Sequence, residues 1–114
     1  MQYLLLIYSA ESDDANQDGA KLMADYGAFT QGIVQNGNFK SADRLKPVAT
    51  ATTVRVRDGK TLTTDGPFAE TREQLGGYYL VEAKDLDEAV GIAAKVPTAK
   101  YGSVEVRPVW AMNG

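Results

Sequence analysis

Thr50-Ala51-Thr52-Thr53-Val54-Arg55-Val56-Arg57-Asp58-Gly59-Lys60-Thr61-Leu62-Thr63-Thr64 is the stretch on which the fold class turns. Its first half alternates, with Thr52, Val54 and Val56 on one side of an extended chain and Thr53, Arg55 and Arg57 on the other. That is the period-2 pattern of a strand. Asp58-Gly59 is a pair suited to a two-residue type I′ turn, in which both central positions take positive φ. The segment therefore predicts an antiparallel hairpin.

Working outward, Tyr3-Leu4-Leu5-Leu6-Ile7-Tyr8 reads as a central strand buried on both faces. Residues 13–17 are polar and loop-like. Over residues 17–35, Leu22, Tyr26, Phe29 and Ile33 recur at helical spacing and form one apolar stripe. Asn36-Gly37 supplies the left-handed stop. Residues 39–48 are ambiguous, with a short strand ending at Pro47. Residues 77–83 form another strand, rich in Tyr and Val. Asp85-Leu86-Asp87-Glu88 opens a second helix, where Asp85 caps the backbone and the acids complement the dipole. Leu86, Ala89, Val90, Ala93 and Ala94 make its inner face before Pro97 ends it. Residues 103–110 give a last strand, and Pro108 there suggests an edge or a bulge.

Strand, helix, strands, helix, strand, with antiparallel pairing in the middle, defines an α+β chain of ferredoxin-like split βαβ type. Both helices are expected on one face of the sheet. The other face then needs a cover, and sheet-to-sheet homodimerisation supplies one.

The composition narrows the chemistry. The 114 residues fit one domain, 1–114, with 44% apolar and 24% charged residues typical of a soluble globule. The chain has no cysteine, which removes disulfides and thiolate chemistry and fits a cytoplasmic setting. It also has no histidine, the commonest base near neutral pH and the commonest metal ligand. The net charge of −3, with Arg55, Arg57 and Lys60 interspersed among acids, argues against nucleic acid. The apolar run at the start is too short for a membrane span or a secretory signal and passes directly into Glu11, Asp13 and Asp14. Asp13-Asp14 lacks the spacing of a calcium loop, so no metal and no cofactor are expected.

Candidate chemistry concentrates in Asp65-Gly66-Pro67-Phe68-Ala69-Glu70-Thr71-Arg72-Glu73-Gln74-Leu75-Gly76-Gly77. Pro67 restricts Gly66 to extended geometry. With Phe68 it can hold Asp65 at the rim of a pocket, where desolvation would make the carboxylate a better base. Otherwise Asp65 bonds its own backbone in a rigid corner. Glu70 is the natural second carboxylate, and Arg72 can pair with one acid or anchor an anionic substrate. Arg107, alternating with Val106, is a second candidate anchor, and Tyr78 can offer a hydroxyl donor. Gly76-Gly77 lacks the Lys-Ser/Thr of a phosphate loop and reads as a bulge or close backbone approach.

The 65–77 loop resembles the signature of the DGPF-domain branch of the YCII-related proteins. The strand at residues 3–8, the 49–59 hairpin, Gln74-Leu75-Gly76-Gly77-Tyr78-Tyr79-Leu80, Asp85-Leu86-Asp87-Glu88-Ala89 and Gly102-Ser103-Val104-Glu105-Val106-Arg107-Pro108 extend the likeness over nearly the whole chain. The resemblance implies a dimeric α+β barrel with a pocket near the dimer interface. It also implies a bacterial setting with a regulatory link to a sigma factor. In the wider group a His-Asp pair is proposed as catalytic. The His half has no counterpart here, which leaves Asp65. Two functions follow as expectations. One is a homodimeric small-molecule-binding or regulatory module. The other is a cofactor-free isomerase-, lyase- or monooxygenase-like enzyme acting on a small organic substrate, with Asp65 and Glu70 as its acid/base pair and Arg107, Arg72, Phe68 and Tyr78 holding the substrate.

Overall fold

A computed structural model describes residues 1–111. The strands are β1 (Gln2–Ser9), β2 (Phe39–Arg44), β3 (Thr52–Arg57), β4 (Lys60–Asp65), β5 (Gln74–Glu82) and β6 (Ser103–Pro108). The helices are α1 (Glu11–Ala15), α2 (Gly19–Gln35) and α3 (Leu86–Ala93), with 3-10 turns at Val48–Thr50 and Pro97–Lys100. A four-stranded antiparallel sheet runs β2-β5-β1-β6. That order, with α2 and α3 packed into the same core, is the ferredoxin-like α+β arrangement.

The hairpin forms as its sequence requires, with Asp58 at φ 52° and Gly59 at φ 74°. Its place differs from the simple reading. β3 and β4 make a separate two-stranded sheet, so the hairpin is an arm inserted between β2 and β5. The arm helps raise the radius of gyration to 16.1 Å, against about 13 Å for a compact chain of about 100 residues.

Local chemistry sets the helix ends. The Asp18 side chain accepts from Lys21 N at 3.1 Å and starts α2. At its far end Gly37 N reaches Val34 O and Asn38 N reaches Ile33 O, with Gly37 at φ 78°, closing the paired C-terminal bonds of a Schellman motif. Asp85 accepts from Glu88 N at 2.9 Å and starts α3. The polar stretch read as loop from residue 13 proves largely helical. α1 is only five residues long with no side-chain cap, so tertiary bonds have to hold it.

One core lies between the sheet and the two long helices. Tyr3, Leu5, Ile7, Tyr79 and Val81 point into it and meet Phe29 and Ile33 of α2 and Ala89, Ile92 and Ala93 of α3. Tyr79 sits at its centre, edge-on to Phe29 at 5.2 Å and bonded through its hydroxyl to Thr30 at 2.6 Å. The inner face of α3 departs from the expected one. Ala89 and Ala93 are buried as expected and Ile92 joins them, whereas Leu86 and Val90 are about half exposed and Ala94 is exposed. β1 is likewise buried on one face only: Leu4, Leu6 and Tyr8, on the face away from the helices, are half-buried.

That second face is orderly. Register places Ser41, Leu80, Leu4 and Arg107 in one row across the sheet, and Asp43, Tyr78, Leu6 and Glu105 in the next. An apolar centre of leucines and Tyr78 is thus flanked by polar groups on the edge strands. β5 begins earlier than its Tyr- and Val-rich part suggests. A register shift against β1 falls between Ile7 and Tyr8, leaving Gly76 unpaired there. At Gly77 a Cβ would lie 2.9 Å from Asp43 O, so both glycines serve the strand geometry read for them.

Candidate functional site

A cleft of about 340 Å³ opens where β1 ends, β5 begins and the chain leaves β2. Its floor is Ser9, Gln74, Leu75 and Gly76, its acidic wall Glu11, Asp14 and Ala15, and its basic wall Arg44, Leu45, Lys46 and Pro47. The register of the sheet builds the floor, because Ser9 pairs with Gln74 and Tyr8 with Leu75. Leu45 N donates to Gly76 O at 2.9 Å and ties the basic wall to β5.

Hydrogen bonds fix the acidic wall. Ser9, only 6% exposed, donates its hydroxyl to the Asp14 carboxylate at 2.8 and 2.9 Å. The Tyr101 hydroxyl donates to the same carboxylate at 3.0 Å. Burial, helped by the neighbouring Asp14 carboxylate, raises the Tyr101 pKa above its usual value, so the phenol stays protonated and remains a donor. Glu11 accepts from Val48 N at 2.9 Å and spans from α1 to the segment after β2. On the floor, Gln74 Nε2 donates to Thr71 O at 2.6 Å, while its buried Oε1 has no partner among the described residues.

The residues favoured on sequence lie elsewhere, in two places. Asp65 ends β4 opposite Thr52 and is exposed, and among the described residues its carboxylate has no hydrogen-bond partner. The Asp65 side chain is thus neither bonded to its own backbone nor enclosed. Gly66 takes φ 97°, a glycine conformation rather than the extended one expected before proline, and its N–H donates to Ala51 O at 2.7 Å. Phe68 is 79% exposed, and Glu70 and Arg72 are exposed on the same loop. Glu73 accepts from Ser103 Oγ at 2.8 Å.

Arg107 and Tyr78 share the second face of the sheet. Arg107 pairs with Glu105, which also accepts from the Tyr8 hydroxyl at 3.3 Å. The guanidinium holds the Glu105 carboxyl below its usual range. Tyr78 donates to Asp43 at 2.7 Å, a bond that raises the phenol's pKa. The structure therefore does not gather the six residues into one site.

Ser9, Asp14, Arg44, Lys46, Gln74 and Tyr101 escaped the sequence reading. Asp14 carried a signal only as half of an acid pair with the wrong spacing for calcium, and Gln74 only as a member of the 65–77 stretch. Ser9, Arg44 and Gln74 converge through strand register, and Lys46 and Tyr101 through the segments that leave β2 and lead into β6, which single-chain patterning does not encode. Among the described residues no group of three or more carboxylates is placed to hold a metal, and no helix is long and apolar enough to cross a membrane.

The fold and its inserted arm define a ferredoxin-like α+β protein. The chain belongs to the YCII-related family, whose domain matches residues 1–113. It is also similar to an uncharacterized protein of Rhizobium meliloti (strain 1021), 39% identical over 114 positions that cover 96% of this chain and 92% of the relative.

Proposed function

We propose that this protein is a homodimeric module that binds a small organic molecule in the cleft between α1, the end of β2 and the start of β5. The observation carrying the proposal is the cleft's lining. Cations, fixed carboxylates and the apolar groups of Ala15, Leu45, Pro47 and Leu75 converge on about 340 Å³. That volume lies at the lower end of the usual range for small-molecule sites, about 300–1,000 Å³. A binding module is favoured over acid/base catalysis at Asp65, because that carboxylate stands exposed and unsupported. Binding is tested by a fragment screen followed in ¹H–¹⁵N spectra. Saturable shifts at Ala15, Leu45, Leu75 and Gly76 are expected, and a screen that never moves them rejects the reading.

The dimer rests on the second sheet face and the arm. Four strands at ordinary spacing make a face about 19 Å wide and about 26 Å along β1, of the order needed for a standard interface burying about 800 Å² per partner. The rows Leu80–Leu4 and Tyr78–Leu6 give it an apolar centre. On the arm, register sets Val54 beside Thr63 and Val56 beside Thr61, an uncharged patch with both valines exposed. A lone two-stranded hairpin is marginal in water, and a second copy would supply its missing layer. Leu6→Arg should convert a dimer to a monomer in sedimentation, and an unchanged mass would remove this interface.

A further inference from the structure

We infer that the cleft's ligand is a dipolar acid, namely an amino acid with an aliphatic side chain, bound with its carboxylate toward Arg44 and Lys46 and its ammonium toward Asp14 and Glu11. This rests on the binding reading above and gives it a ligand class. Two cations and two carboxylates line one small cleft, yet none of them pair with each other. The ion pairs among the described residues lie elsewhere, at the N-terminal amine and Glu82, Lys21 and Asp25, and Arg107 and Glu105.

The separation has a cause. Val48 N holds Glu11, and Ser9 and Tyr101 hold Asp14, so neither carboxylate is free to swing across to the basic wall. Each carboxylate has about four acceptor sites, so both retain capacity for a further donor. The site is charge-balanced. A ligand with one charge would neutralise one wall and leave the other uncompensated, whereas a zwitterion satisfies both. On the floor between the walls, Gln74 is held through its Nε2 by Thr71 O. Ala15, Leu45, Pro47 and Leu75 offer apolar contact between the charged walls, which suits an aliphatic side chain.

The test compares L-leucine with its two halves, 4-methylpentanoate and isopentylamine, by ¹H–¹⁵N titration of the full chain. Leucine should shift Ala15, Leu45 and Gly76 saturably, with each half binding about tenfold more weakly or worse, as the loss of one charged hydrogen bond implies. Arg44→Gln should weaken leucine and 4-methylpentanoate but spare isopentylamine, and Glu11→Gln should weaken leucine and isopentylamine but spare 4-methylpentanoate. Dispersed spectra of both variants would confirm that they fold. Equal binding of 4-methylpentanoate and leucine overturns the dipolar assignment while leaving a small-molecule site. Leucine without effect on a cleft that accepts other fragments overturns the assignment alone. A cleft that accepts no fragment removes both readings.

Discussion

Ser9 and Asp14 are joined by a hydroxyl bonded to both carboxylate oxygens, at 2.8 and 2.9 Å, which ties the last residue of β1 to α1. Because α1 has only five residues and no side-chain cap, this bond and the one from Tyr101 substitute for the stability that its own length cannot provide. Asp14→Ala should cost about 1–2 kcal/mol in urea unfolding and raise amide exchange through α1. Unchanged exchange there would show that the carboxylate does not hold the helix.

Gly102 lies so close to β1 that a methyl group on it would overlap the Tyr8 carbonyl oxygen, and at Gly77 it would crowd Asp43 O at 2.9 Å. Both obstacles are backbone and cannot rotate away. Gly102→Ala should therefore destabilise by about 3 kcal/mol or more, and Gly77→Ala by about 1–2 kcal/mol, typical of overpacking against fixed atoms. Gly27 and Gly91 have no atom within 4 Å of an added Cβ. Alanine at either should be neutral or stabilising in thermal melts, as expected within helices.

Tyr26 and Thr98 share a 2.6 Å hydrogen bond beneath α2, and Thr98 is only 5% exposed. Burial raises the Tyr26 pKa above the ordinary phenol value. The folded state therefore holds this proton more tightly than the unfolded chain. The associated stability is fully present below about pH 10, the unfolded phenol's pKa, and is lost as pH rises through the folded pKa. Phenolate absorbance of wild type minus Tyr26→Phe should show a late-titrating tyrosine. The variant should also lose about 1 kcal/mol near neutral pH through the orphaned Thr98 hydroxyl.

Asp65 and Phe68 stand exposed on the arm and its following loop. Asp65→Asn and Phe68→Ala should each leave protomer unfolding within about 0.5 kcal/mol of wild type. If the loop clasps a second copy, Phe68→Ala will weaken association in sedimentation without altering the protomer's melt. A loss above about 2 kcal/mol in the melt itself would place the ring in a core.

Much of the architecture was legible because it depends on neighbours in sequence. The cap at Asp85 follows from a few adjacent residues, and so do the stop at Gly37 and the turn at Asp58-Gly59. The α2 stripe needed only helical spacing, although Leu22 and Tyr26 at its start are half-buried and only Phe29 and Ile33 are fully buried. α3 was misread over part of its inner face, with Ala89 and Ala93 buried as expected. Its short alanine-rich turns let several stripes compete, and packing against β6 and the sheet selected Ile92 over Leu86 and Val90.

The sequence by itself determined the hairpin, the caps and stop of the two longer helices and the ferredoxin-like class, since propensity, capping and period act within a few residues of each position. Only the tertiary structure decided that the hairpin stands apart as an arm, that Tyr78 and Arg107 share the second sheet face, and that residues 9, 14, 44, 74 and 101 converge. Those outcomes depend on which strands pair and in what register, and the bulge beside Gly76 resets that register at the floor of the cleft. A one-residue shift in pairing turns every side chain of a strand to the opposite face. The composition of the site is therefore fixed by long-range pairing, which no local pattern specifies.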